Sequence, residues 1–156
     1  MRAHGSGRIL QVTSEGGVRA FPQFGAYHAS KWALEGLSQS LAQEVAAFGI
    51  RITMIEPGPY ATDWGSDSLR ESPHNPAYDE VRSRLHGSFE RGTPSATRTA
   101  ILEVADAEDP PLRIFFGRSF EAVEGEYQDR LATWRRWQPV ALAAFGETRG
   151  YSERLR

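Results

Sequence analysis

The sequence predicts an α/β fold in which a parallel sheet is wound with helices, and three observations carry that prediction. Two short apolar runs, around Ile9-Leu10-Val12 and Ile52 to Ile55, each end in small or turn-forming residues, as covered strands do. The stretch between them, Gly25 to Phe48, is spaced as a helix. A helix that returns the chain to a second strand without a hairpin implies a right-handed parallel crossover.

Taken in order, Arg8 to Ser14 reads as a strand ending at Ser14, followed by a loop that holds Gly16, Gly17 and Phe21-Pro-Gln-Phe-Gly25. In the central helix Tyr27, Lys31, Leu34, Leu41 and Val45 fall on one stripe with Leu37 and Phe48 beside it, and Gly49 followed by Ile50 is its stop. Arg51 to Glu56 is the second strand, broken by Pro57-Gly58-Pro59. Residues 64–92 are irregular, with Pro73, Pro76 and scattered aromatics, and read as a lid with short helical pieces that include Ala77 to Leu85. Pro94 to Ala107 reads as a helix, Leu112 to Gly117 as a third strand, and 119–145 as a further helix with Val123, Tyr127, Leu131 and Trp134 at spacings of four, four and three. No repeat or linker divides the chain, so 1–156 is read as a single domain.

At 40% hydrophobic and 11% aromatic residues the chain can bury a core. Its net charge of -2 gives no field for nucleic acid or acidic membranes, and no window approaches the ~20 apolar residues of a membrane span. Zero cysteines exclude disulfides and thiolate metal sites and fit a cytoplasmic protein. His74 and His86 lack accompanying ligands, so no metal site is expected. Among eighteen basic residues there is one lysine, Lys31, and seventeen arginines. A compact ammonium kept at one position, where arginine has taken every other, points to a chemical need for it there.

Lys31 stands four residues after Tyr27, so the two side chains rise from one helix face and can meet. A phenol exchanges protons near neutrality when a fixed cation favours its phenolate, and Lys31 is the cation at hand. Ser14, thirteen positions before Tyr27 at the carboxyl end of a strand, could hold a substrate oxygen where open α/β sheets bind ligands. A serine there would alone read as a loop residue, and a bare Tyr-x-x-x-Lys as packing; together, and with the Pro-Gly loop, they read as a site. His28, about 100 degrees round the helix from Tyr27, is placed as a neighbour or a surface group.

Gly7-Arg-Ile-Leu-Gln-Val-Thr-Ser14, Tyr27-x-x-x-Lys31 and Pro57-Gly58-x-x-x-Thr62 resemble the short-chain dehydrogenase/reductase family in order and gap. The resemblance is tight from about Gly5 to Asp63 and thinner from Pro94 to Gly117. It implies a Rossmann-like doubly wound sheet, truncated here to its C-terminal part, and an NAD- or NADP-dependent oxidoreductase that interconverts an alcohol and a carbonyl on a small molecule. It implies catalytic roles for Ser14, Tyr27 and Lys31, cofactor contacts from Tyr27, Lys31, Pro57, Gly58 and Thr62, and substrate contacts from Ser14 and from lid residues, for which Trp64, Tyr78 and Phe89 are candidates. A homo-oligomer is expected. The family's glycine-rich turn for the pyrophosphate and its upstream asparagine have no counterpart here. The expectation is therefore that Met1 is not the start of a working enzyme, that Arg8 to Ser14 exposes an uncovered sheet edge, and that this chain binds NAD(H) or NADP(H) weakly. The alternative is a non-catalytic half-domain that persists by association with a partner or a second copy.

Overall fold

The structure, a computed structural model, describes residues 1–63, 72–84 and 90–146. The chain divides into two compact units, Met1–Val123 and Glu124–Arg156. In the first unit three strands, β1 (Gly7–Val12), β2 (Ile50–Pro57) and β3 (Arg113–Phe116), form one sheet in the order β1-β2-β3. All pairs are parallel: Gly7 faces Ile50 and Val12 faces Ile55 on one side of β2, while Met54 faces Arg113 and Pro57 faces Phe116 on the other. The expected parallel α/β architecture is thus observed.

β2 is the centre of this sheet, which explains its nearly unbroken burial from Ile52 to Glu56. Met54 is fully buried. β1 has no neighbour on its far side among the described residues, and its Val12 is 55% exposed.

The crossover between β1 and β2 is α1 (Gly25–Val45), followed by a 3-10 turn, Ala46–Phe48. It ends where the sequence predicts, at Gly49, whose φ of 67° is left-handed and whose Cα faces the Gly5 carbonyl oxygen so closely that a Cβ would stand 2.1 Å from it. The buried face of α1 corrects the apolar stripe. Leu34, Leu41 and Val45 are half-buried, whereas the positions that α1 buries fully are His28, Glu35 and Ser38. Polar side chains can occupy that face because His28 and Glu35 each find partners across it. Leu37 and Phe48 are exposed.

Three further helices follow: α2 (Asp79–Ser83), α3 (Thr97–Asp106) and α4 (Phe120–Phe145). Pro76 and Pro94 each open a short 3-10 turn that leads into α2 and α3, as proline at a first helical turn does. Arg8 of β1 reaches the end of α3, donating to the carbonyl oxygens of Ala105 and Ala107, and so supplies donors to a helix terminus that lacks them. The second unit contains the later turns of α4. There Arg130 lies over the Tyr127 ring at 4.8 Å, and Leu131, Trp134 and Trp137 are exposed. No helix of the described residues is long and apolar enough to cross a membrane.

Candidate active site

The site lies in the first unit, beyond the carboxyl ends of β1 and β2. Thr13 keeps pace with β2 for one residue past β1, its N–H and hydroxyl both donating to the Ile55 carbonyl, so that Ser14 is delivered at the sheet's edge in a fixed position. Ser14 then caps the 3-10 turn Glu15–Gly17, its Oγ accepting from the Gly16 N–H at 3.0 Å. Both Thr13 and Ser14 are buried.

Tyr27 packs on the turn that Ser14 caps. Its ring lies against Gly16, where a Cβ would be 2.9 Å from the ring edge, so only glycine lets the phenol approach this closely. Lys31, one helical turn on, places Nζ 5.9 Å from the centre of the Tyr27 ring and donates to the Val12 carbonyl at 3.3 Å. The three residues predicted to carry the chemistry therefore converge from β1 and α1. Pro57 and Gly58 close the same cleft, with Thr62 further along it. The Gly58 N–H donates to the Phe116 carbonyl, and Gly58 is backed by the buried Ser119, whose Oγ would lie 2.6 Å from an added Cβ.

Tyr78 lines the cleft too, although it is largely exposed. Trp64 and Phe89, the other candidate wall residues, and His86 lie outside the described residues. Near the mouth the backbone pairs again, Tyr60 bridging to Gly92, so the segment after Pro59 is tied back to the stretch before α3. No group of three or more potential metal ligands occurs among the described residues.

Of the two readings of His28, neighbour of Tyr27 or surface group, the structure bears out the first, the two rings lying 5.9 Å apart. It is buried, not on the surface. Nδ1 lies 2.8 Å from the Gly16 carbonyl, so it donates there, and Nε2 is left to accept the Phe21 N–H at 3.1 Å. Those two bonds tie both ends of the loop between Ser14 and Tyr27 to the helix carrying Tyr27. Phe21 stacks edge-on against the imidazole at 4.4 Å, and Phe24 against Phe21 at 5.6 Å. The sequence offers no apolar signal for this face, whose other buried positions, Glu35 and Ser38, are polar too.

A second cluster went unread. Glu35 on α1 and Glu56 on β2 are both buried, and Arg113 of β3 meets them, its Nε donating to Glu35 Oε2 at 2.9 Å and lying 3.5 Å from Glu56 Oε1. Burial, with the neighbouring Glu35 charge adding to it and Arg113 opposing it, raises Glu56 from an ordinary 4.5 to about 7.

A parallel sheet with its crossover helix opens at its strand ends on a cleft lined by serine, tyrosine, lysine and a Pro-Gly loop, and known proteins share this arrangement of chain. Residues 1–72 match the short chain dehydrogenase family. The oxidoreductase BOA17 of Botryotinia fuckeliana is 37% identical over 152 residues, covering 92% of this chain and 55% of that protein. The crystal structure of a short-chain dehydrogenase from Streptomyces avermitilis superposes with a TM-score of 0.81 at 37% identity, over 92% of this chain and 55% of its own. A short-chain dehydrogenase of Burkholderia cenocepacia, solved in complex with NADP, shares the fold at 23% identity and a TM-score of 0.57, over 86% of this chain and 48% of its own. The chain belongs to the short-chain dehydrogenase/reductase family. It spans about half the length of the relatives it matches.

Proposed function

We propose that this chain supplies the proton-transfer and nicotinamide-facing part of an NAD(P)-dependent oxidoreductase that interconverts an alcohol and a carbonyl on a small molecule. The observation that carries the reading is the gathering of Ser14, Tyr27, Lys31, Pro57 and Gly58 around one cleft at the strand ends. Because Ser14 Oγ already accepts from Gly16, its own O–H points to a substrate oxygen as the remaining donor role. Tyr27 gives a proton to that oxygen in reduction or takes it in oxidation, and the ammonium of Lys31 favours the phenolate that the proton leaves behind.

The residues fit the nicotinamide end of a dinucleotide. Lys31 offers an ammonium for a ribose hydroxyl, and the Pro57-Gly58 loop with Thr62 offers a wall and a hydroxyl. When bound, the nicotinamide supplies the hydride that no side chain can carry. A strand followed by a glycine-rich turn and a helix N-terminus, which would take the pyrophosphate, does not occur among the described residues. The described residues 72–84 and 90–92 serve in this reading as part of the lid over substrate, with Tyr78 in its wall.

The test is Tyr27→Phe in the polypeptide that contains these residues together with a dinucleotide-binding half, following oxidation of NADPH and NADH with a panel of carbonyls. Turnover should fall by about 10²- to 10⁴-fold, the usual worth of a general acid, with cofactor affinity nearly unchanged. Retention of most turnover removes Tyr27 from the mechanism.

A further inference from the structure

The described core contains two buried carboxyl groups and one guanidinium. Glu56 is 1% exposed and Glu35 4% exposed. Arg113 Nε donates to Glu35 Oε2 and lies 3.5 Å from Glu56 Oε1, and its Nη2 donates to Gln39 Oε1 at 2.8 Å. Glu35 Oε1 and Glu56 Oε1 are buried without a hydrogen-bond partner among the described residues. If both carboxyls were ionised the cluster would hold an uncompensated negative charge and acceptor oxygens facing no donor, an expensive arrangement away from water. One proton cancels the excess charge and turns one of the acceptor oxygens into a donor.

The cluster also stands where the parts of the active site are joined. Glu35 is one helical turn beyond Lys31 on α1, and Glu56 immediately precedes Pro57. Gly17, in the turn capped by Ser14, packs on Glu35 and Lys31 of α1, with Cβ space limited by Glu35 Cγ at 3.0 Å and the Lys31 carbonyl at 3.2 Å. We propose that Glu35, Glu56 and Arg113 form a buried clamp that carries one proton, held by Glu56, and that positions the lysine-bearing turn of α1 against the end of β2. These are positioning residues: none of them lines the cleft.

The charged groups facing Glu56 are Glu35 from α1 and Arg113 from β3. From β1, Arg8 points instead to the end of α3, and Glu15 of the turn lines the cleft. The raised value of about 7 sets the direction with pH. A carboxyl that binds its proton more tightly when folded contributes stability that is complete below its ordinary 4.5 and is lost as pH rises through about 7. Above that range two like charges meet behind Lys31, and the clamp loosens.

The proposal stands apart from the catalytic reading, because its test needs no turnover. Lys31 is the sole lysine, so labelling the full chain with ¹³C-lysine gives one side-chain signal from within the site. With ¹³C-glutamate labelling in parallel, one carboxyl should titrate near pH 7 and disappear in Glu56→Gln. The Lys31 signal should shift with the same midpoint in the wild type and stay flat in Glu56→Gln. Melting temperature should fall from pH 5 to pH 8 in the wild type and much less in Glu56→Gln, which mimics the protonated acid, while Glu35→Gln should melt lower than Glu56→Gln at pH 8. Titration of every carboxyl in the usual acidic range, or a Lys31 signal indifferent to the Glu56 titration, would overturn the clamp. Since the wild-type titrations decide the matter, the idea stays open to refutation if a variant does not fold.

Discussion

The floor of the cleft and its lip are built from the same chain by opposite means. The floor, made by β1, α1 and β2, fixes each functional side chain through buried backbone bonds: Thr13 to Ile55, His28 to Gly16 and Phe21, Gly58 to Phe116. The described lip, residues 72–84 and 90–93, is exposed nearly throughout and held by surface pairs such as Arg84 with Glu80 at 2.6 Å and Arg82 with Asp79 at 3.5 Å. Exposed pairs of this kind contribute about 0–1 kcal/mol. The proton transfer proposed for this cleft would tolerate little misplacement, which suits the floor. Changes in the lip cost the fold little, which suits a segment proposed to meet substrate.

The largest break in that contrast should come from the centre of the floor. Met54 is fully buried in the middle strand, with sheet neighbours on both sides. Met54→Ala removes packing that the surrounding strands cannot easily refill, and should cost about 2–5 kcal/mol in a urea unfolding experiment. A loss under about 1 kcal/mol, the value expected of ordinary surface sites, would mean that the sheet is not the stable half of the contrast.

A smaller effect is expected at His28. His28→Ala leaves the Gly16 carbonyl and the Phe21 N–H without their buried partner, at about 1–3 kcal/mol. Because the loop between Ser14 and Tyr27 loses its tie, turnover in an active polypeptide should fall more steeply than stability does. Equal activity with lowered stability would reduce His28 to packing.

The contrast also accounts for what could be read from sequence. The strands, α1 and α3 were legible because period and turn chemistry act locally: Gly49 stops α1 where left-handed backbone is needed, and Pro94 opens the turn into α3. Ser14, Tyr27 and Lys31 were nominated on their spacing and on the uniqueness of Lys31, and all three line the cleft. The polar face of α1 was not legible. His28, Glu35 and Ser38 are buried against partners that come from other elements, and an apolar-stripe reading assigns such residues to solvent. Glu56 was read only as the end of a strand because its partner Arg113 lies 57 positions away. In the lip the aromatics carry no period, so sequence could nominate Tyr78 without saying how it packs.

Tyr78 gives the smallest effect and the sharpest test of the lip. It ends the 3-10 turn Pro76–Tyr78, capped by the Asn75 side chain, and lines the cleft while remaining 57% exposed. Tyr78→Ala removes little buried area and no hydrogen bond that holds the turn, since the Asn75 contacts run through the backbone N–H groups of Ala77 and Tyr78. Stability should therefore change by no more than about 0.5 kcal/mol, as for most surface substitutions. If the ring is part of the substrate wall, an active polypeptide carrying the change should show a KM raised by about tenfold or less for bulky carbonyls, near the lower end of what a hydrophobic pocket contact is worth, with kcat held. Small carbonyls, which cannot reach the lip, should be unaffected. An equal change for small and bulky carbonyls would place Tyr78 outside the wall, and a drop in kcat with unchanged KM would assign it to the floor's work instead.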